Sequence, residues 1–179
     1  MTDHDSDPGF DPAGTPPPQS RPAPLGRTLD DPIAFRDGLA RGTRLIGIDA
    51  GTKTLGLALC DVERMIASPL ETIQRTKFTA DAGRLLALAL DHKISGFVLG
   101  FPANLDGSEG PRAQATRAFA RNINKLSPLP ILLWDERLTT AQAERMLIAA
   151  DTSRKRRAEV IDKLAATLIL QGALDRMRY

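Results

Sequence analysis

The chain has 179 residues and a hydrophobic share of 42%, enough for one domain with a real core. Its single cysteine, Cys60, excludes an intramolecular disulfide and a cysteine-based zinc cage, and two histidines, His4 and His92, are too few for a histidine-rich metal site. No stretch approaches the ~20 apolar residues of a membrane span, and the acidic N-terminus has no apolar signal core, so a soluble cytoplasmic protein is expected. Residues 1–42 hold four Arg against seven Asp, so the formal net charge of +2 understates the basic excess of the remainder, a balance suited to a polyanionic partner.

Residues 1–26 carry seven prolines among Asp, Gly and Ser, a composition that predicts a disordered tail. Leu29, Ile33, Phe35 and Leu39 predict a short helix within 27–42 that leans on the domain, which is expected to begin near Thr43. Strands are predicted over 44–49, 54–60 and 65–72, joined by tight turns that favour an antiparallel meander. The Ala- and Leu-rich stretch 79–92 predicts a helix, and 96–100 a short buried strand. A polar helix over 111–126 starts at Pro111, which suits a first turn. The fifth strand covers 130–134, and a helix over 139–149 takes Thr139 or Thr140 as its cap. Arg154, Lys155, Arg156 and Arg157 predict a basic loop ahead of a last helix over 158–177. Three meandering strands followed by alternating helix and strand imply an α/β fold, a mixed five-stranded sheet with helices on both faces.

Two apolar strands stop on acid. Leu45-Ile46-Gly47-Ile48 runs into Asp49, followed by Gly51-Thr52-Lys53. Leu132-Leu133-Trp134 runs into Asp135-Glu136-Arg137. Asp is poor in strands and costly near a core, so its use there points to a metal ligand or base, or, more simply, to a turn cap. Alternation along a strand lets just one of Asp135 and Glu136 face the same way as Asp49. Ligands gather at the carboxyl ends of parallel strands, so two such ends bring the acids together. Asp162 shares a helical stripe with Ala165, Ala166 and Ile169, a packing face on which an Asp needs a partner or a metal; a first-turn Asp favoured by the helix dipole is the alternative.

Clustered carboxylates repel one another unless cations intervene. Oxygen ligands with few histidines favour Mg2+ or Mn2+ over zinc, and two such ions fit phosphodiester hydrolysis. The loop 100–112 follows one strand and opens a helix. Its amides, with Asn104, Ser108 and Arg112, suit a phosphate, or form a plain Gly-rich connector. The basic run 154–157 and Lys53 suit phosphate contacts.

These blocks resemble the YqgF/RuvX family: GIDAGTKTLGLAL, VLGFPANLDGSEGPRAQATRAFA, WDERLTTAQAERML and the helix VIDKLAATLIL, in the expected order from Leu45 to about Leu174. The resemblance implies the RNase H-like fold of RuvC resolvases and a metal-dependent nuclease, either processing the 5′ end of precursor 16S rRNA or resolving Holliday junctions. By position it implies that Asp49, Glu136 (with Asp135 as substitute) and Asp162 are the catalytic acids and metal ligands. RuvC resolvases carry a fourth acid, for which Glu159 and Ala166 offer no clear match. Lys53, Asn104, Arg112, Arg137 and the run Arg154, Lys155, Arg156, Arg157 are the expected substrate contacts. The expected partner is structured RNA or branched DNA, bound by a monomer or homodimer.

Two other classes share part of this pattern. An actin/Hsp70-like ATPase also reads strand-Asp-x-Gly-Thr, but such proteins hold ATP between two domains and this chain has length for one. A non-catalytic nucleic-acid-binding module would keep the basic surface with the acids turned structural.

Overall fold

A computed structural model describes residues 25–103, 106–138 and 154–178, with the backbone alone for 138 and 154–162. The expected helix over 139–149 lies outside these residues, as do residues 1–24. Six strands form one sheet: β1 (Thr28–Leu29), β2 (Arg44–Ala50), β3 (Thr54–Cys60), β4 (Ala67–Gln74), β5 (Ile94–Phe101) and β6 (Ile131–Asp135), in the order β1-β6-β5-β2-β3-β4. The helices are α1 (Pro32–Asp37), α2 (Phe78–Asp91), α3 (Pro111–Asn124) and α4 (Arg154–Met177), and a 3-10 turn, Glu136–Leu138, follows β6.

β2, β3 and β4 form the expected antiparallel meander, and β5 and β6 join β2 in parallel. The sixth strand is β1, two residues pairing in parallel with Ile131 and Leu132. Packing thus begins ahead of Thr43, because Phe35 of α1 is also fully buried. β4 starts and ends two residues later than the expected 65–72. It carries Pro69, which an edge strand tolerates because its N–H need not join a ladder.

Alternation along the strands builds two cores. Ile46, Ile48, Leu99, Phe97, Ile131 and Leu133 face the side covered by α2 and α3. Leu45, Val98, Leu132 and Trp134 face α4, through Ala166, Ile169, Leu170 and Ala173. Glycines let α4 come close. A Cβ on Gly47 would lie 2.6 Å from Leu170 Cβ and 2.8 Å from the Ala166 carbonyl oxygen, and one on Gly100 would lie 2.5 Å from Ile169 Cδ1.

The direction of α4 follows from its contacts along β5. Ile169 lies over Gly100 at the carboxyl end of that strand. Phe35 lies over Gly96 near its amino end, and the neighbouring Arg36 donates from Nη1 to the Met177 carbonyl oxygen at 2.9 Å. The helix therefore runs against β5, and its early turns project toward the edge where β2, β5 and β6 end.

The basic run 154–157, expected as a loop, is helical and forms the start of α4. Arg and Lys are good helix formers and no Gly or Pro separates them from the rest of the helix. No helix among the described residues is long and apolar enough to cross a membrane.

Candidate active site

Three parallel strands end at one edge of the sheet, at Ala50, Phe101 and Asp135. Asp49 shares the α4 side of β2 with Leu45 and Gly47. On β6 the same alternation gives that side to Leu132 and Trp134, then to Glu136, and gives Asp135 to the other side. The sheet register puts Gly100 beside Trp134 and Phe101 beside Asp135. A Cβ on Gly100 would meet Glu136 Oε1 at 2.7 Å, on the same side as Ile169. The Glu136 carboxylate thus lies over Gly100, on the α4 face and between the ends of β2 and β6. A side chain at position 100 would occupy that place, so the glycine serves the carboxylate as well as the helix.

Charge agrees with this placement. Burial, and next the Asp49 carboxylate, push the Glu136 carboxyl above its ordinary value; Arg112 opposes the rise and Asp135 adds to it. Two acids repelling each other in a half-buried place is the donor set that a divalent cation relieves.

Asp135 is engaged elsewhere. Arg137 Nε and Nη2 donate to its Oδ2 at 2.9 and 2.6 Å, and the Arg137 N–H donates to Oδ1 at 3.0 Å. This forked contact holds the Asp135 carboxyl below its ordinary range. Of the two adjacent acids, Glu136 is the one that shares a face with Asp49.

Position 162 lies on α4 seven residues before Ile169, about 10 Å back along the axis. That displacement runs toward the edge that holds Asp49 and Glu136. With α4 starting at Arg154, position 162 is beyond the first turn, where a helix dipole favours acids. The Asp162 side chain is outside the described residues, and among those residues no group of three or more metal-ligating side chains comes together.

The remaining expected contacts fall into three sets. Lys53 is exposed in the β2–β3 turn, and Arg112 is exposed in the first turn of α3. In the loop before α3, Asp106 Oδ1 accepts from the Ser108 N–H at 2.9 Å and from its hydroxyl at 2.6 Å, and Gly107 takes a positive φ of 81°. Glu109 closes the loop onto Arg117, with Nη2 to Oε1 at 2.7 Å. Asn104 lies outside the described residues, as do the side chains of Arg154, Lys155, Arg156 and Arg157.

The sequence reading missed Arg75, which follows β4 and donates from Nη1 to the Gly51 carbonyl oxygen at 2.6 Å, beside the Asp49 strand end. A lone Arg after a strand carries no motif, so spacing could not have found it. Gly100 also went unremarked as a functional position, although a glycine between two acid-bearing strand ends is a usable signal of close approach.

The chain is similar to known proteins in sequence and in structure. A protein of Paracoccus denitrificans (strain Pd 1222), named as a candidate pre-16S rRNA nuclease, is 61% identical over 145 residues, covering 81% of this chain and 92% of that protein. A protein of the same name from Cereibacter sphaeroides (strain ATCC 17025) is 63% identical over 145 residues, covering 81% of this chain and 91% of its own length. Thermus thermophilus RuvC, solved in complex with a Holliday junction substrate, aligns with 15% identity and a TM-score of 0.46 over 71% of this chain and 91% of that one. The family model described as RuvX, Holliday junction resolvase, matches residues 43–176, a span that includes Gly47, Asp49, Gly100, Asp135, Glu136 and Asp162. With three quarters of its length so matched, the chain belongs to the RuvX family.

Proposed function

We propose that this chain is a divalent-metal-dependent nuclease that hydrolyses phosphodiester bonds of structured RNA, in the 5′-end processing of precursor 16S rRNA. The observation that carries the reading is the meeting of Asp49 and Glu136 on one face, at the ends of two strands that flank Gly100. The names of the two relatives above support the RNA substrate.

Asp49 and Glu136 would hold the cations, with Asp162 completing the set from α4. When bound, Mg2+ or Mn2+ supplies an activated water and steadies the leaving oxygen. Glu136, whose carboxyl is raised by burial and by the Asp49 carboxylate, would be relieved by such a cation. Lys53, in the turn that follows the Asp49 strand, and Arg112, at the start of α3, would offset the charge of an incoming phosphate backbone. Arg137, held by Asp135, presents a fixed guanidinium at the next strand end. The four basic residues Arg154, Lys155, Arg156 and Arg157 would add longer-range attraction for a polyanion.

The test is incubation of the wild type and Asp49→Asn with precursor 16S rRNA, in Mg2+, Mn2+ or EDTA. Metal-dependent cutting by the wild type, with loss of cutting but retained RNA binding in the variant, is the expected result. Cutting that persists in EDTA or in Asp49→Asn would refute the assignment. A second reading, cleavage of branched DNA, is favoured by the description of the family as Holliday junction resolvases. A synthetic four-way junction in the same assay decides between them, and ATP hydrolysis without cleavage of either substrate would favour the ATPase class instead.

A further inference from the structure

Just past Asp49, on the sheet side opposite α4, lies a cleft of about 90 Å³ whose lining includes Gly51, Thr52, Arg75, Arg112, Thr116 and the Phe119 ring. Two of the eight lining residues are arginines, and they come from different elements. Arg75 follows β4 and Arg112 opens α3.

Arg75 is held in place from three directions. Its Nη1 donates to the Gly51 carbonyl oxygen at 2.6 Å. Its Nε lies 3.9 Å from Asp81 Oδ2, and its guanidinium carbon sits 6.0 Å from the centre of the Phe119 ring. Asp81 is itself fixed, being buried and accepting from the Thr76 N–H at 3.1 Å. The Arg75 N–H also donates to the Lys53 carbonyl oxygen at 2.9 Å, which ties the residue to the β2–β3 turn.

A guanidinium carries five N–H donors in a planar fork. The described hydrogen bond takes one of them, and the Asp81 carboxylate stands at a longer distance. The side chain stays about a third exposed, at 32%. Its rotamer entropy is therefore spent on folding, while donors remain for a ligand, as a bidentate phosphate contact requires. Arg112 lines the same cleft as Ala50, the residue that follows Asp49 on β2. The two arginines thus meet at the end of β2, next to the strand position that carries Asp49.

The cleft adjoins the strand end that carries Asp49, so a nucleic-acid strand that crosses this edge of the sheet can bring a phosphate next to the scissile one to the cleft. The cations that the acids would hold engage the scissile phosphate, so the phosphates next to it need a separate cationic grip to keep the strand in register. We infer that Arg75 and Arg112 form a backbone-phosphate subsite that grips the substrate strand next to the scissile bond. The inference rests on the nuclease reading and adds to it a residue, Arg75, that positions substrate without touching the reacting atoms.

The test uses the full chain carrying Asp49→Asn, so that nothing is cut, and a fluorescent single-stranded RNA oligonucleotide. Binding is followed by anisotropy across a KCl series. Adding Arg75→Ala is expected to weaken binding several-fold and to reduce the slope of log K against log salt by about 0.7, the share of one phosphate contact on a single strand. Arg75→Lys should restore the slope, though not the full affinity. Arg112→Ala, at an exposed position, should repeat the slope loss without a change in Tm, which guards against a folding defect in Arg75→Ala. Arg84→Ala, which removes an exposed partner of Glu71, serves as the charge control and should leave the slope in place.

A slope unchanged by Arg75→Ala and by Arg112→Ala, with Tm lowered in the first alone, overturns the subsite and leaves Arg75 as a brace for Gly51 and Asp81. RNA that fails to bind the Asp49→Asn protein at all overturns the nuclease reading and the subsite together.

Discussion

Gly47→Ala tests the contact that sets α4 on the sheet. The added methyl would lie 2.6 Å from Leu170 Cβ and 2.8 Å from the Ala166 carbonyl oxygen. One of these neighbours is helix backbone and the other is the root of a fully buried side chain. Neither can swing aside, so α4 must lift or slide. Overpacking of this kind costs about 1–3 kcal/mol, and the upper end applies where backbone must move. At roughly 2–4 °C per kcal/mol for a chain of this length, a 3 kcal/mol loss lowers Tm by about 6–12 °C. The assay is thermal and urea unfolding followed by the fluorescence of Trp134, the single tryptophan, which is buried against the α4 side. The urea midpoint should fall with an unchanged slope. At a temperature where the variant is still folded, cleavage should fall as well, because the same helix carries Asp162. A Tm within about 1 °C of wild type would show that α4 does not seat on Gly47, and the placement of position 162 at the acid edge would fail with it.

Gly83→Ala is the matching control: nothing lies within 4 Å of where its Cβ would stand, so the helical position gains roughly 0.5–1 kcal/mol and Tm rises by about 1–4 °C in the same assay. Glu136→Gln should stabilise the metal-free protein at neutral pH. The folded carboxyl titrates above its unfolded value, so its ionised form opposes folding; the penalty is absent below the unfolded value, grows as pH rises through the gap, and stays above the folded value. The variant's Tm advantage should therefore appear near about pH 7 and vanish near about pH 4, and an equal advantage at both would remove the charge explanation. Asp135→Asn should keep metal-dependent cleavage, whereas Glu136→Gln should lose more than about 100-fold, beyond what loss of a residue that merely orients a ligand costs; the reverse order would reassign the ligand to Asp135.

Much of the sheet could be read from its residues because alternation and turn chemistry agree there. The runs that became β2, β3, β5 and β6 are apolar and bounded by Gly, Pro or acid, so type and position follow from local pattern. β1 could not be read this way. Two residues have no period, and Thr28 and Leu29 pair with Ile131 and Leu132 because α1 anchors Phe35 nearby. The start of α4 was misjudged for a different reason: a run of like charge suggests a solvated loop, while helix propensity and continuity with the following stripe prevailed. The acid edge was legible as two strand ends. Which of Asp135 and Glu136 shares a face with Asp49 was not, since phase at a strand end depends on where the chain leaves the sheet; here Glu136 lies over Gly100 and Asp135 is bonded to Arg137. Arg75 needed the tertiary fold, because its partners Gly51, Asp81 and Phe119 come from three separate elements.

The central claim is that Asp49 and Glu136 share divalent cations. A crystal structure of the wild-type protein grown with Mn2+, read by anomalous scattering, tests it most directly. The account predicts a manganese peak between the two carboxylates, at about 2.0–2.2 Å from an oxygen of each, with Asp162 beside it. Manganese bound elsewhere, with both carboxylates bare in a protein that cleaves RNA under the same conditions, would contradict it.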